Sequence, residues 1–231
     1  MMKEQNAKWT MVVDTSSTAA SVAVFNEEGV VGEIAVNTGQ THSQKLMPLV
    51  HGLMTQLNLN ISDLDGYFVC EGPGSFTGVR IGIATVKGFA QPFNKPVQGF
   101  SSMFLIASGV KHFEGIIVPL IDAKRGDVYY GVYEWNGDAL CTNEEGVEPL
   151  EQLLPYLEEK YPGQSILLLG DALKSYPDAY GSGLNFILGS TYESVPKASN
   201  LAIKSMVTSP DASAYTIKAN YMRKSQAERD L

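Results

Sequence analysis

An apolar strand that ends on an aspartate occurs twice in this 231-residue chain, at Trp9–Asp14 and at Ile116–Asp122. The sequence beyond each aspartate is similarly ordered. After the first, Ala20–Phe25 alternates in polarity, Asn26-Glu27-Glu28-Gly29 reads as a turn, and Val30–Val36 returns as a third strand. Leu46, Leu49, Val50, Leu53 and Leu57 then recur at helical spacing, and Asp65–Cys70 is again strand-like. After the second, Val128–Trp135 alternates, Asn136-Gly137 is a strong hairpin turn, and Ala139–Thr142 comes next. The helix Leu150–Lys160 and the strand Ser165–Gly170 complete the series. The pattern predicts a duplicated strand–strand–strand–helix–strand unit, with Asp14 and Asp122 in matching places.

The first copy continues with a helix over about Ser75–Gln91, a strand at Pro96–Gly99 and a helix at Ser101–Ser108, for which Ser101 is a candidate N-cap. Pro210–Leu231 reads as a closing helix with Asp211 and Ser213 as start signals. The expected division is a first lobe over 9–108, completed by 210–231, and a second lobe over 109–209. Two βββαβα-type copies suggest an α/β, two-lobed actin-like or hexokinase-like architecture (the ASKHA class, RNase H-like in each half). An ordinary doubly wound α/β domain is the rival.

Composition bounds the function. The content is 44% hydrophobic and 18% charged, enough for a substantial core. No apolar run approaches the ~20 residues of a membrane helix. The start, Met1–Asn6, lacks the apolar stretch of a secretory signal, and two lone cysteines, Cys70 and Cys141, fit a reducing cytoplasm. A net charge of −8 argues against an RNA-gripping surface of its own, because phosphate contacts need a basic footprint. Any RNA chemistry it serves would need a partner to hold the RNA.

Asp14-Thr15-Ser16-Ser17 leaves a strand and opens a turn. It reads either as a phosphate-binding hairpin, hydroxyls and N–H groups facing the anion, or as a turn held by Asx and Ser/Thr side-chain bonds. Gly72-Pro73-Gly74-Ser75-Phe76-Thr77-Gly78 joins a strand to a helix, where Ser75 or Thr77 could cap and the helix start favours an anion. It lacks the Gly-Lys-Ser/Thr ending of a P-loop, and its glycines miss the Gly-x-Gly-x-x-Gly spacing by one. Asp14, Thr15, Ser16, Gly72, Gly74 and Ser75 are thus the candidate phosphate-binding residues. Asp122–Asp127 reads as a charged hairpin entry, either facing the interlobe cleft or, the favoured reading, a solvated turn. His42, His51 and His112 show no metal-ligand spacing, and no nucleophile–base set stands out, so neither metal nor catalytic residues are assigned.

The helix over Leu46–Leu57 carries an apolar stripe wider than one buried face usually needs, which leaves Met47, Val50 and Met54 as partner-facing candidates. Gly78 and Gly82 lie four apart on one face of the next helix and allow close approach, within the chain or by a partner.

Four segments together resemble the TsaB (YeaZ) family: Val12–Ser16, His42–Pro48, the string Gly72–Gly82, and Ile121–Gly126. Asn220-Tyr221-Met222-Arg223 resembles the family's tyrosine–arginine ending. The family lies in the actin-like ATPase superfamily and is paralogous to TsaD. The resemblance implies a cytoplasmic, non-catalytic partner of TsaD, acting with TsaE and the synthase TsaC in threonylcarbamoyl transfer to tRNA adenosine. It implies tRNA contact only through the complex, no membrane, and an inactive glycoprotease-like relative of TsaD. In TsaD a metal is held by a His-x-x-x-His pair; here His42 is followed by Lys45 and Leu46. The resemblance places the joint with TsaD, or with a second copy, on two helices of the first lobe. His42, Met47, Val50, Met54, Val79, Gly82, Ile83 and Val86 are the residues it marks. ATP or ADP is expected, if at all, at the joint of the complex. The competing classes are an active small ATPase or kinase-like enzyme, and a stand-alone homodimeric interaction protein. The second copy shows no adenosine-binding glycine motif, since Gly163, Gly170 and Gly181-Ser182-Gly183 sit in different contexts.

Overall fold

In a computed structural model, residues 8–180, 185–201 and 212–222 are described. The chain divides into two units, Met1–Ser102 with Pro196–Ala219, and Met103–Val195 with Asn220–Leu231.

The first unit is built on a five-stranded sheet. Strands β1 (Thr10–Asp14), β2 (Ala20–Asn26) and β3 (Gly29–Val36) form an antiparallel meander. Helix α1 (His42–Leu57) then leads to β4 (Gly66–Gly72), and α2 (Phe76–Ala90) to β5 (Val97–Ser101). The order is β3-β2-β1-β4-β5, with β1–β4 and β4–β5 parallel. Every residue of β1 is buried, as a central strand covered on both faces requires. Helix α1 lays Leu46, Leu49, Val50, Leu53 and Met54 into one cluster with Val13, Val22, Val24, Tyr67 and Val69. Helix α2 adds Val79, Ile83, Val86 and Ala90 to the same cluster. At the start of α1 the Thr41 N–H donates to Gln44 Oε1 at 3.1 Å. At its end Asn58 takes a left-handed φ of 53°, which stops the helix and lets Leu59 N–H reach Met54 O at 3.0 Å.

The second unit repeats the plan with β6 (Ile116–Lys124), β7 (Asp127–Asn136) and β8 (Ala139–Pro149), followed by β9 (Ile166–Leu169) and β10 (Phe186–Leu188). Its sheet order, β8-β7-β6-β9-β10, matches that of the first unit strand for strand. The α/β architecture with a duplicated unit is therefore present. Of the remaining helices, α3 (Ser102–Ala107) comes directly after β5, and α4 (Leu150–Lys160) connects β8 to β9. Leu150, Leu153, Leu154 and Leu157 of α4 cover Val118, Leu120, Val128 and Val132. Where the first unit has the fifteen-residue α2, the second has only α5 (Ala172–Ser175).

Several expectations differ from what is observed. Strand β8 runs on past Thr142 to Pro149, pairing from Asn136↔Ala139 to Asp127↔Pro149; an edge strand tolerates the polar Asn143–Gly146 stretch that reads as a break. The cap at Ser101 is not made: Ser101 closes β5 and Ser102 donates through Oγ to Pro73 O at 2.5 Å. Of the expected closing helix, residues 212–222 form turns and extended chain, and the remainder, with Arg223, lies outside the described residues. There Ser213 O accepts from Thr216 N and Thr216 Oγ1, so the start signal makes a single turn. This segment adds to the first unit through Val97 N–H donating to Ala212 O at 2.8 Å, with Ala214 and Ile217 in its core. The unit boundaries at Ser102/Met103 and Val195/Pro196 differ from those read from the sequence. Beyond Pro196 the chain docks on the first sheet: Ala198 N–H donates to Ser21 Oγ, and Ser199 donates twice to the Glu33 carboxylate. Among the described residues no helix is long and apolar enough to cross a membrane.

Candidate functional site

The six candidate phosphate residues do come together, at the carboxyl ends of β1 and β4, which is where open α/β sheets bind ligands. Asp14 closes β1, and the turn after it is pressed against the loop from β4 into α2. Gly74 has φ +147°, and a Cβ there would lie 2.2 Å from Ser16 O. That close approach lets Ser75 N–H donate to Ser16 O at 2.6 Å. Ser75 caps α2, its Oγ accepting from Gly78 N–H at 3.2 Å.

Further contacts continue along α2. Thr15 Oγ1 donates to Gly78 O at 2.8 Å, and a Cβ on Gly78 would meet Thr15 O at 2.1 Å. One turn on, a Cβ on Gly82 would meet Thr15 Oγ1 at 2.5 Å. The two glycines thus serve packing within the chain. From α1, the buried Lys45 sends Nζ to Thr18 O at 2.6 Å. The His42 ring lies against Gly78 and is held below its ordinary pKa by burial and then by Lys45, while a hydrogen bond with the Ser17 backbone opposes the shift. A neutral ring results.

The electrostatics of Asp14 are unusual. Its side chain is fully buried; Oδ1 accepts from Ser16 N at 3.1 Å and Ser16 Oγ at 2.7 Å, and Oδ2 has no partner. Burial pushes the carboxyl up, and the Ser16 and Cys70 contacts only partly counter it. Thr15 and Ser16 are also buried, so the turn shows solvent only Ser17 and Thr18. A nucleotide phosphate with its divalent cation, which this class of fold would bring to the turn, does not fit. The Thr15 hydroxyl is committed to Gly78 O, and the N–H and hydroxyl of Ser16 to Asp14, so neither is free to receive the phosphate oxygens.

The matching acid of the second unit is built differently. Asp122 Oδ1 accepts from Lys124 N at 2.8 Å and Tyr176 OH at 2.8 Å; Oδ2 accepts from Lys124 Nζ at 2.6 Å and Ser175 Oγ at 2.9 Å. Burial opposes its charge, but these donors outweigh burial and bring its pKa down to about 2. Gly170, at φ +105°, takes the place of the β4 loop; a Cβ there would strike Leu120 O at 2.1 Å. Sequence reasoning favours a solvated turn here and misses Ser175 and Tyr176, which reach Asp122 from about fifty positions away. Asp122→Asn should cost about 1–2 kcal/mol at neutral pH, after allowance for solvent screening. A depressed acid stabilises above its unfolded pKa, so the difference should disappear as pH falls from 3.8 to about 2. Urea titrations of both chains over that range check this, and equal stability at pH 7 would refute it.

The eight candidate interface residues divide sharply. Val50, Met54, Val79, Gly82, Ile83 and Val86 are buried in the first unit's own core, facing its sheet. Met47 is 49% exposed, and His42 is half-buried. The apolar stripe is as wide as it is because α1 packs on β2, on β3 and on α2. The outward side of the two helices carries Met47 and His51 on α1, and Phe76, Arg80, Ala84 and Gly88 on α2. Arg80 stacks its guanidinium 3.7 Å above the Phe76 ring. Spacing on α2 assigns this second face, since Phe76, Arg80, Ala84 and Gly88 succeed one another every four residues. Leu46, at the place of the second histidine of a His-x-x-x-His pair, is a core residue at 1% exposure. Among the described residues no group of three or more His, Cys, Asp or Glu could hold a metal ion.

The family described as "TsaD: tRNA N6-adenosine threonylcarbamoyltransferase" matches residues 15–184. The tRNA threonylcarbamoyladenosine biosynthesis protein TsaB of Bacillus subtilis is 31% identical over 225 residues, covering 94% of this chain and 95% of its own. TsaB of Escherichia coli is 28% identical over 170 residues, 73% of each chain. The solved structure of YeaZ from Pseudomonas aeruginosa superposes with a TM-score of 0.78 at 24% identity, over 93% of this chain and 99% of that one, and shares the fold. By its match over most of its length to TsaB of Bacillus subtilis and by the fold it shares with YeaZ, this chain belongs to the TsaB (YeaZ) family.

Proposed function

We propose that this protein takes part in tRNA threonylcarbamoyladenosine biosynthesis as a non-catalytic partner of TsaD. The observation that carries the reading is the closed turn after β1. The Thr15 hydroxyl is spent on α2, and the Ser16 N–H and hydroxyl are spent on the buried Asp14, so the groups that would grip a phosphate are already engaged. Support for a partner role comes from the outward side of α1 and α2, where Met47 and Phe76 are large apolar side chains at 49% and 41% exposure. TsaD, or a second copy of this chain, would sit there, and ATP or ADP would bind at the joint with TsaD instead of in the turn. TsaE and TsaC would act in the same pathway, and tRNA would be met through the assembled complex. A partner of this kind acts by binding the competent state of TsaD more tightly than its other states.

Reconstitution tests the reading. The isolated chain should hydrolyse no ATP, and tRNA modification by TsaD, TsaE and TsaC should depend on adding it. Asp14→Asn should keep most of the modification. ATP turnover by the chain alone, abolished by that substitution, would overturn the proposal in favour of an active ATPase.

A further inference from the structure

The Asp14 carboxyl lies at 0% exposure, and no Lys, Arg or His nitrogen pairs with it among the described residues. Around it lie β2, whose uncharged Ser21 pairs with it across the antiparallel ladder, the Ala198–Leu201 turn that bonds to Ser21, β4, the turn after β1, α2 and α1. From β4 the Cys70 thiol faces it across the parallel pairing that sets Val13 beside Val69. From the turn come the N–H and hydroxyl of Ser16. From α2, Gly78 and Gly82 press on the neighbouring Thr15 and carry no charge, and from α1 the His42 and Lys45 side chains are engaged by Ser17 and Thr18 instead. A carboxylate here would hold a full charge against the two Ser16 donors on one oxygen, with only the weakly donating Cys70 thiol near it besides. An unpaired buried charge is far costlier than a neutral acid.

Ser16 is also the residue that ties the turn to α2. Its N–H and hydroxyl are held by Asp14, and its carbonyl receives Ser75 N–H at the start of the helix. We propose that Asp14 is kept in the fold as a neutral carboxylic acid and acts as a pin, through Ser16, between the turn after β1 and the start of α2, so that charging it loosens that joint. The thiol beside it is pushed up by burial and stays neutral too, so the pair forms an uncharged plug under the turn. This goes beyond the partner role and holds whether or not TsaD is the partner.

Linkage fixes the sign. An acid raised in the folded chain favours folding below its unfolded pKa of 3.8, and that advantage is lost as pH rises toward the folded value. Asp14→Asn keeps the shape and never ionises. Its Tm at neutral pH should exceed that of the parent by about 4 °C or more, and the gap should shrink as pH falls toward 3.8. The Ser75 amide should exchange with deuterium several-fold more slowly in Asp14→Asn at neutral pH, and at equal rates in both chains under acid. A Tm below the parent's at neutral pH, or a gap that ignores pH, would overturn the inference. Should the variant fail to fold, carbon NMR of the parent labelled at its aspartate carboxyls decides. One signal should stay at the protonated position after the others have moved, and its absence refutes the neutral acid.

Discussion

Gly78→Ala is expected to unfold the first unit or to cost more than about 3 kcal/mol, although alanine is the better helix former by about 1 kcal/mol. The new methyl would sit 2.1 Å from Thr15 O and 2.9 Å from the His42 ring. The first of these is backbone, on a turn fixed by Asp14 and by Thr15 Oγ1 bonding back to Gly78 O, so relief requires the helix to move off the sheet. Gly88, ten residues further along the same helix, has nothing within 4 Å of its ideal Cβ. Gly88→Ala should therefore raise stability by roughly 0.5–1 kcal/mol. Urea unfolding of the pair measures both at once. Similar midpoints for the two variants would show that the turn does not rest on α2 as described.

The second large effect concerns the partner. Ala84→Arg, on the outward side of α2, should reduce capture of TsaD by about 100-fold or more if that face is the joint. Its thermal stability should hardly change, because Ala84 is exposed and arginine is also a good helix former. Gly82→Arg cannot serve the same purpose. Any side chain at Gly82 enters the space of Thr15 Oγ1, so lost binding would only report lost folding. Pull-down and light scattering with purified TsaD check the expectation. Full binding by a folded Ala84→Arg chain would remove α2 from the joint.

Legibility in the sequence tracks the length and regularity of each feature. Strands β1 to β7 and β9, helices α1 to α4, and the duplicated order are visible in the sequence, the longer ones because apolar periodicity persists across several residues in each. The short α5 and β10 are too brief for a period to register, and polar residues hide the second half of β8. The candidate site was half legible. The string Gly72–Gly78 shows that backbone comes very close to something, but only the fold reveals that the something is Thr15 and Ser16 of the same chain. Helix periodicity likewise locates Val50, Met54, Val79, Ile83 and Val86 on apolar faces without saying what covers them. Their own sheet does. The contrast between Asp14 and Asp122 was not legible at all, since the donors that distinguish them, Ser175 and Tyr176, arrive from a distant helix end.

The division of the first unit into two stretches of sequence has a consequence for synthesis. Its core includes Ala214 and Ile217, and its sheet receives Ser199 at Glu33 and Ala212 at Val97. A chain growing from its amino end therefore cannot close this unit when α2 and β5 emerge. The five strands of the second unit are contiguous from Ile116 to Leu188 and are all available earlier. The second sheet can thus assemble before the first unit is complete, although that second unit's own last stretch, Asn220–Leu231, emerges later still; the first sheet waits about a hundred residues for the piece that completes it, an interval open to chaperones or to aggregation.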